Sequence, residues 1–190
     1  MKIRPIILAS GFSHRFGENK LLYTINNEPM IFHIMNELSI LAKENIVQTP
    51  YVVTQYEEIC NLAKEMKFHS LWNESAKQGI SESIKIGVSR DTTSDAYMFF
   101  TGDQPYIKAE VICSFIAGYR MSKKELGCVV YNLTWHSPTI FSKKYRDALL
   151  SLQGDTGGKG ILKSSTDDLF TFRVDFQSVK DIDTKMDLSF

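Results

Sequence analysis

Four short stretches, at residues 6–9, 51–54, 69–72 and 96–100, read as strands, and a stretch that reads as a helix comes after each before the next begins. Met30, Ile31, Ile34, Met35, Leu38 and Leu41 carry the first such stretch to about residue 42, and Ile59, Leu62, Ala63 and Met66 carry the second. Residues 79–90 and 110–119 read as the third and fourth helices. A strand that passes through a helix before the next strand forms must pair in parallel, and the crossover helices then cover the faces of the sheet. The expected class is α/β, a three-layer Rossmann-like fold around a mainly parallel sheet. The second half is less regular. Residues 127–131, 138–141 and 169–174 read as strands and 143–152 as a helix, so the sheet is expected to be mixed. Pro5 cannot donate to a ladder, so the first strand is expected to begin at or just after it. Asn26 and Asn27 make a turn, with Asn27 as a cap for a helix that has Pro29 in its first turn. With 190 residues, 43% hydrophobic content and no linker, repeat or low-complexity segment, residues 1–190 are expected to form one domain with a full core.

The first strand leads into a loop with unusual chemistry. From Leu8 the chain reads Ala9, Ser10, Gly11, Phe12, Ser13, His14, Arg15, Phe16, Gly17, Glu18, Asn19, Lys20. Glycines let backbone N–H groups approach an anion without a Cβ in the way, and Arg15 and Lys20 supply balancing charge, so the loop reads as a phosphate cradle. It is not a P-loop, because five residues separate Gly11 from Gly17 and the lysine comes three later. It is not a dinucleotide fingerprint, because Phe12 and Ser13 follow Gly11. The plain alternative is a glycine-containing strand-to-helix turn with solvated charges.

Twenty-two basic residues balance twenty-two acidic ones, which gives no basic field for nucleic acid. Cys60, Cys113 and Cys128 are far apart and odd in number, and read as buried thiols in a reducing compartment. The run at 6–9 is far shorter than a signal-peptide core, and no stretch approaches a membrane span, so a cytoplasmic location is expected.

Ligands of open α/β sheets gather at the carboxyl ends of strands. Gly102 and Asp103 fall at that edge after residues 96–100, where a simple turn and a metal role are equally open. Asn73 precedes Gly79, Ile80, Ser81, Glu82 and Ser83; read alone, this is a helix start with Ser81 as cap and with Ser81 and Ser83 on one side of the first turn. Asp155, Gly157 and Lys159 belong to a second glycine cluster, in which Gly160 stands where a P-loop needs a hydroxyl. A flexible turn explains that cluster as well. Near the end, Asp183 or Thr184 reads as the cap of a terminal helix. Residues 91–95 read only as a polar loop. His14, His33, His69 and His136 show no metal-ligand spacing, and no nucleophile–base pair can be argued.

Gly11, Ser13, Arg15, Gly17 and Lys20 fall on the pattern Leu-Ala-x-Gly-x-Ser-x-Arg-Phe/Met-Gly-x-x-Lys, which resembles the signature of the nucleotidyltransferases that make molybdenum cofactor dinucleotides. The resemblance runs from Leu8 to Leu188 and implies a division of labour, with the N-terminal half binding nucleotide and the C-terminal half binding acceptor. It implies catalytic roles for Arg15, Lys20 and Asp103, with Asp103 and Asp183 holding magnesium. It places Leu8, Ala9, Ser10, Gly11, Ser13, Gly17, Asn73, Gly79, Ser81, Ser83 and Gly102 around the nucleotide, and Asp155, Gly157 and Lys159 near the acceptor phosphate or pterin. Lys185 stands where relatives have proline after the Asp-Ile-Asp-Thr segment, which alters the entry to the last helix. The likeness is strongest to the cytidylyltransferases, and Ser10 between Ala9 and Gly11 favours the narrower base pocket of a pyrimidine. The implied reaction joins CMP from CTP to the phosphate of molybdenum-bearing molybdopterin, for delivery to a molybdenum hydroxylase. Guanylyl transfer from GTP is the alternative, and a non-catalytic carrier of the cofactor is another.

Overall fold

The computed structural model describes residues 1–188. In chain order the elements are β1 (Ile3–Ala9), the two-residue strands β2 (Thr24–Ile25) and β3 (Glu28–Pro29), α1 (Met30–Lys43), β4 (Tyr51–Thr54), α2 (Glu57–Glu65), β5 (His69–Trp72) and α3 (Ile80–Arg90). There follow β6 (Ala96–Thr101), α4 (Ala109–Ser122), β7 (Leu126–Tyr131), β8 (Thr134–Ser142), α5 (Arg146–Leu150), α6 (Lys159–Ser164) and β9 (Leu169–Arg173). Seven strands form one sheet in the order β5-β4-β1-β6-β8-β7-β9, and within it β8 alone runs against the others. The sheet is therefore mixed and mainly parallel, with helices on both faces.

The two-residue period of the strands divides the core. On β1, Ile3, Ile7 and Ala9 join Val52, Met98 and Phe100 beneath Ile34 and Leu38 of α1, Ile59 of α2 and Phe115 of α4. Ile6, Val53, Tyr97 and Phe99 point the other way, onto Ile84 and Val88 of α3, Leu149 of α5 and Leu162 of α6. Because α1, α2 and α4 share one face and α3, α5 and α6 the other, the carboxyl edge of the sheet is left to loops.

The structure differs from the sequence expectation at several boundaries. β1 begins at Ile3 and includes Pro5. The carbonyl of Ile3 accepts from Gln48 on the β4 side, so Pro5, two residues on, faces that side too. There the β4 ladder begins only with Ile6 opposite Tyr51, and no donor is missed. Asn26 and Asn27 make the turn but not the cap. Both are left-handed, at φ 51° and 69°, and they close the β2–β3 hairpin, so α1 starts after Pro29 with no side-chain cap. The helix expected over 143–152 is a 3-10 turn followed by the five residues of α5, and β8 extends to nine residues. α6 forms within the second glycine cluster, where no helix was expected.

Candidate functional site

The carboxyl ends of β1, β5 and β6 open onto a cleft of about 570 Å³. Of the residues singled out from the sequence, Leu8, Ser10, Gly11, Ser13, Lys20, Gly79, Ser83, Gly102, Asp103 and Asp155 line it. Phe12, His14, Lys77 and Thr101 line it as well, and sequence reasoning gave them no role. Phe12 and His14 stack with ring centroids 5.6 Å apart.

The loop after β1 is braced from within. Ser13 is left-handed at φ 54°, its carbonyl accepts from Phe16 N at 2.9 Å and its Oγ accepts from Lys20 N at 3.2 Å. Asn19 Oδ1 accepts from Leu21 N at 3.1 Å and caps the 3-10 turn that carries Lys20. Among the described residues, no acceptor takes the N–H groups of Phe12, Ser13, His14 or Arg15. A Cβ on Gly11 would meet nothing within 4 Å, which leaves room beside those donors. Unpaired N–H groups beside open space are available to an anion, which makes this loop a candidate phosphate cradle. Gly17 takes φ 84° and turns the loop, and it does not line the cleft. Ala9 is buried in the core beneath.

A charged cluster ties this loop to two distant parts of the chain, although Arg15 and Asp183 do not line the cleft. Lys20 Nζ is 2.7 Å from Asp103 Oδ2 and 2.9 Å from Asp183 Oδ1, while Arg15 Nη2 is 2.9 Å from Asp183 Oδ2. The backbone N–H of Ile182 donates to the Asp103 carbonyl at 3.0 Å and pins the C-terminal segment there. Burial pulls the Lys20 ammonium down, but Asp103 and Asp183 outweigh it and hold its pKa above the ordinary value. The hydrogen bond from Lys20, with Arg15 behind it, holds Asp183 below the ordinary carboxylate value. The neighbouring Asp181 carboxyl is pushed up to about 6, first by desolvation and then by the charge of Asp103.

Asp183 makes no capping bond, because Lys20 and Arg15 take its two carboxylate oxygens; the Asp187 carboxylate reaches back to the N–H groups of Asp183 and Thr184 at 3.0 and 2.7 Å, as in a capping box. Asp103 Oδ1 and Thr101 Oγ1 are buried with no hydrogen-bond partner. An orphaned carboxylate oxygen beside a second carboxylate suits a hard divalent cation. Among the described residues, no three His, Cys, Asp or Glu side chains are placed to hold an ion, so such a cation would take its remaining donors from a bound ligand or water.

At the other end, buried Asn73 organises the wall without lining the cleft. Its Nδ2 donates to Ser10 Oγ at 3.2 Å and Ser83 Oγ at 3.0 Å, its Oδ1 accepts from Ser75 N at 3.0 Å, and Ser10 Oγ donates to the Val53 carbonyl at 3.2 Å. Ser81 is not the helix cap. It lies inside α3, fully buried with an unpartnered Oγ, while Gly79 holds the N-cap position at φ 107°. Ser81 and Ser83 also point to different sides, since two helical steps turn a side chain by about 200°.

Several glycines serve packing, among them Gly79, Gly102 and Gly158. A Cβ on Gly102 would lie 3.1 Å from Leu21, one on Gly158 would lie 2.4 Å from the Phe141 ring, and one on Gly79 would lie 2.3 Å from the Gly154 backbone. Ser81 N donates to the Gly154 carbonyl at 3.2 Å, so the turn before Asp155 is docked on the start of α3. Gly79→Ala is therefore expected to force that turn away and to cost at least about 2 kcal/mol. Thermal unfolding and nucleotide titration of the variant check this, with loss on both expected. Gly157 and Lys159 do not line the cleft. Lys159 begins α6, and its charge adds to burial in pushing the His136 pKa down. Among the described residues, no helix is long and apolar enough to cross a membrane.

Residues 5–169 match the family model described as the MobA-like NTP transferase domain. A curated protein of Pyrococcus horikoshii named probable molybdenum cofactor guanylyltransferase is 29% identical over 132 residues, which span 68% of this chain and 62% of that protein. A solved nucleotidyl transferase from Methanothermobacter superposes with a TM-score of 0.80 at 16% identity, covering 98% of this chain and 94% of that one. The Mycobacterium tuberculosis protein Rv0371c, solved in complex with manganese, gives a TM-score of 0.77 at 18% identity, with 98% and 96% covered. These neighbours share the fold, and the family model spans the braced loop, the Asn73 wall and the edge that carries Asp103. On that match the chain belongs to the MobA-like NTP transferase domain family.

Proposed function

We propose that this protein transfers a nucleoside monophosphate from a nucleoside triphosphate to the phosphate of a molybdopterin-type acceptor, releasing pyrophosphate. The observation that carries the reading is the single lysine, Lys20, that joins the unpaired N–H cradle to two carboxylates 83 and 163 residues away. A protein that only carried the finished cofactor would need no triphosphate cradle facing a carboxylate pair.

The chemistry asks for alignment more than for a base. A phosphomonoester has its second ionisation near pH 6, so its oxygen is already a nucleophile at pH 7. That oxygen attacks the α-phosphorus, a new P–O bond forms in line as the bond to the β-phosphate oxygen breaks, and both bonding electrons leave with pyrophosphate. The cradle N–H groups orient the triphosphate, while Lys20 and Arg15 stand ready to take the charge that gathers on the leaving group. Asp103 and Asp183 would hold a divalent cation, magnesium by expectation, which when bound screens the phosphates and favours departure of pyrophosphate. The manganese bound by the M. tuberculosis neighbour supports divalent metal use here. The Asn73-braced pair Ser10 and Ser83 offers hydroxyls at the base end, and Asp155, with Gly157 and Lys159 beyond it, lies on the acceptor side.

The small side chain of Ser10, projecting where guanylyl-type relatives have glycine, favours CTP. The name of the P. horikoshii relative favours GTP. Pyrophosphate release with magnesium and molybdenum-bearing molybdopterin, compared across CTP, GTP, ATP and UTP, decides between them. Release with CTP is the expected result. Release with GTP alone overturns the base assignment, and silence with all four despite nucleotide binding overturns the transfer and restores the carrier. Lys20→Ala is expected to weaken triphosphate binding about 10- to 100-fold, the worth of a lost charge-assisted contact of about 1.5–3 kcal/mol. Isothermal titration checks it, and unchanged affinity would remove Lys20 from the cradle.

A further inference from the structure

Lys20 has two possible destinations. Its backbone is fixed by Ser13 Oγ and by the Asn19-capped turn, so only the side chain can move. That side chain is 14% exposed and lies between Asp103 and Asp183, at 2.7 and 2.9 Å. Arg15 takes the second oxygen of Asp183 at 2.9 Å, so two carboxylates and two cations cancel. We propose that Lys20 is an internal cation that closes the carboxylate pair to free divalent metal, so that metal enters only together with the triphosphate that draws Lys20 away. This rests on the reading of Asp103 and Asp183 as the metal-binding pair.

The charge balance of each alternative supports the order. Metal arriving alone must displace an ammonium from both carboxylates while Lys20 and Arg15 remain nearby, which concentrates positive charge in a partly buried place. Triphosphate arriving alone can recruit Lys20 only by leaving Asp103 and Asp183 unscreened beside its own negative charge. When the two arrive together, the metal replaces Lys20 on the carboxylates and the ammonium exchanges carboxylate oxygens for phosphate oxygens. Every charged group keeps a partner. The unpaired N–H groups of residues 12–15 lie on the same loop as Lys20, so the lysine's second destination is the phosphate that those donors collect.

Manganese(II) is the probe, titrated without nucleotide and followed by the loss of the free-ion paramagnetic resonance signal. Lys20→Met, which keeps the aliphatic stem, is expected to bind manganese about tenfold or more tightly than the natural protein. Lys20→Arg is expected to stay weak, and Lys20→Met combined with Asp103→Asn to lose the gain. Lys20→Met binding no more tightly than the natural protein overturns the latch. A gain that survives Asp103→Asn instead overturns the assignment of the metal-binding pair. If Lys20→Met does not fold by circular dichroism, the natural protein still decides. Manganese and α,β-methylene CTP should each raise the other's affinity beyond their association in free solution, as reciprocal linkage demands. Independent binding overturns the proposal.

Discussion

Asp103→Ala is expected to lower pyrophosphate release by about 10³-fold or more, with little change in melting temperature. The carboxylate stands just past the carboxyl edge of β6 with 19% of its side chain exposed. Its structural contribution is the contact with Lys20, and Lys20 keeps Asp183 when that contact is lost. The backbone bond that pins the C-terminal segment uses the Asp103 carbonyl, which the substitution leaves in place. Function has no such reserve. One of the two carboxylates goes, with the orphaned Oδ1 on which the proposed cation site rests. Single-turnover pyrophosphate release at saturating metal, read beside a thermal melt, separates the two effects. Release within about threefold of the natural protein would remove Asp103 from the machinery, and a collapsed melt would make it structural.

The fold was legible where burial decides local structure. The strand at 51–54 and the helix from residue 30 follow from apolar period alone, because each buries a stripe or face. Boundaries were lost where pairing on one side matters, as at Pro5, whose missing donor faces a gap that the ladder register alone reveals. At Asn26 and Asn27 two consecutive left-handed residues favour a hairpin, and the competing cap was the wrong choice between two uses of the same residue type. In the site, the motif placed Lys20 and Asp103 in one cleft, but it could not show that Lys20 holds both carboxylates, since a salt bridge across 163 residues is a product of topology. Lys77, Phe12 and His14 escaped because they carry no spacing signal and reach the cleft only by loop geometry. The polar loop at 91–95 was undervalued for a related reason: its buried partner, Arg4, lies 87 residues away.

Asp91→Ala is expected to destabilise the protein by about 3–5 kcal/mol without altering the kinetics of whatever protein remains folded. Asp91 is 1% exposed and follows α3 at the amino edge of the sheet, the end away from the cleft. Its Oδ2 accepts from Arg4 Nε at 2.8 Å, and its Oδ1 accepts from Thr93 N at 2.8 Å and Ser94 N at 3.1 Å. Arg4 lies 4.5 Å above the Tyr51 ring and donates to the Thr49 carbonyl at 2.6 Å, so it cannot follow a lost partner into water without leaving the start of β1 and β4. Removal of the carboxylate strands a buried guanidinium. Arg4→Met together with Asp91→Leu should recover much of the loss, because the cost arises from the unpaired charge and not from the absence of the pair. The pH dependence has a definite sign. Burial opposes ionisation of Asp91, but the Ser94, Arg4 and Thr93 hydrogen bonds overcome it and hold the carboxyl at about 2. The unfolded chain titrates near 3.9, so the stabilisation, about 2–3 kcal/mol, is complete above that value and is lost as pH falls from about 5 toward 2. Melting temperatures from pH 7 to pH 2.5 should show a steep acid limb in the natural protein and a shallower one in Asp91→Asn. Parallel limbs would mean that other carboxylates set the acid stability and that the Arg4–Asp91 pair is merely buried.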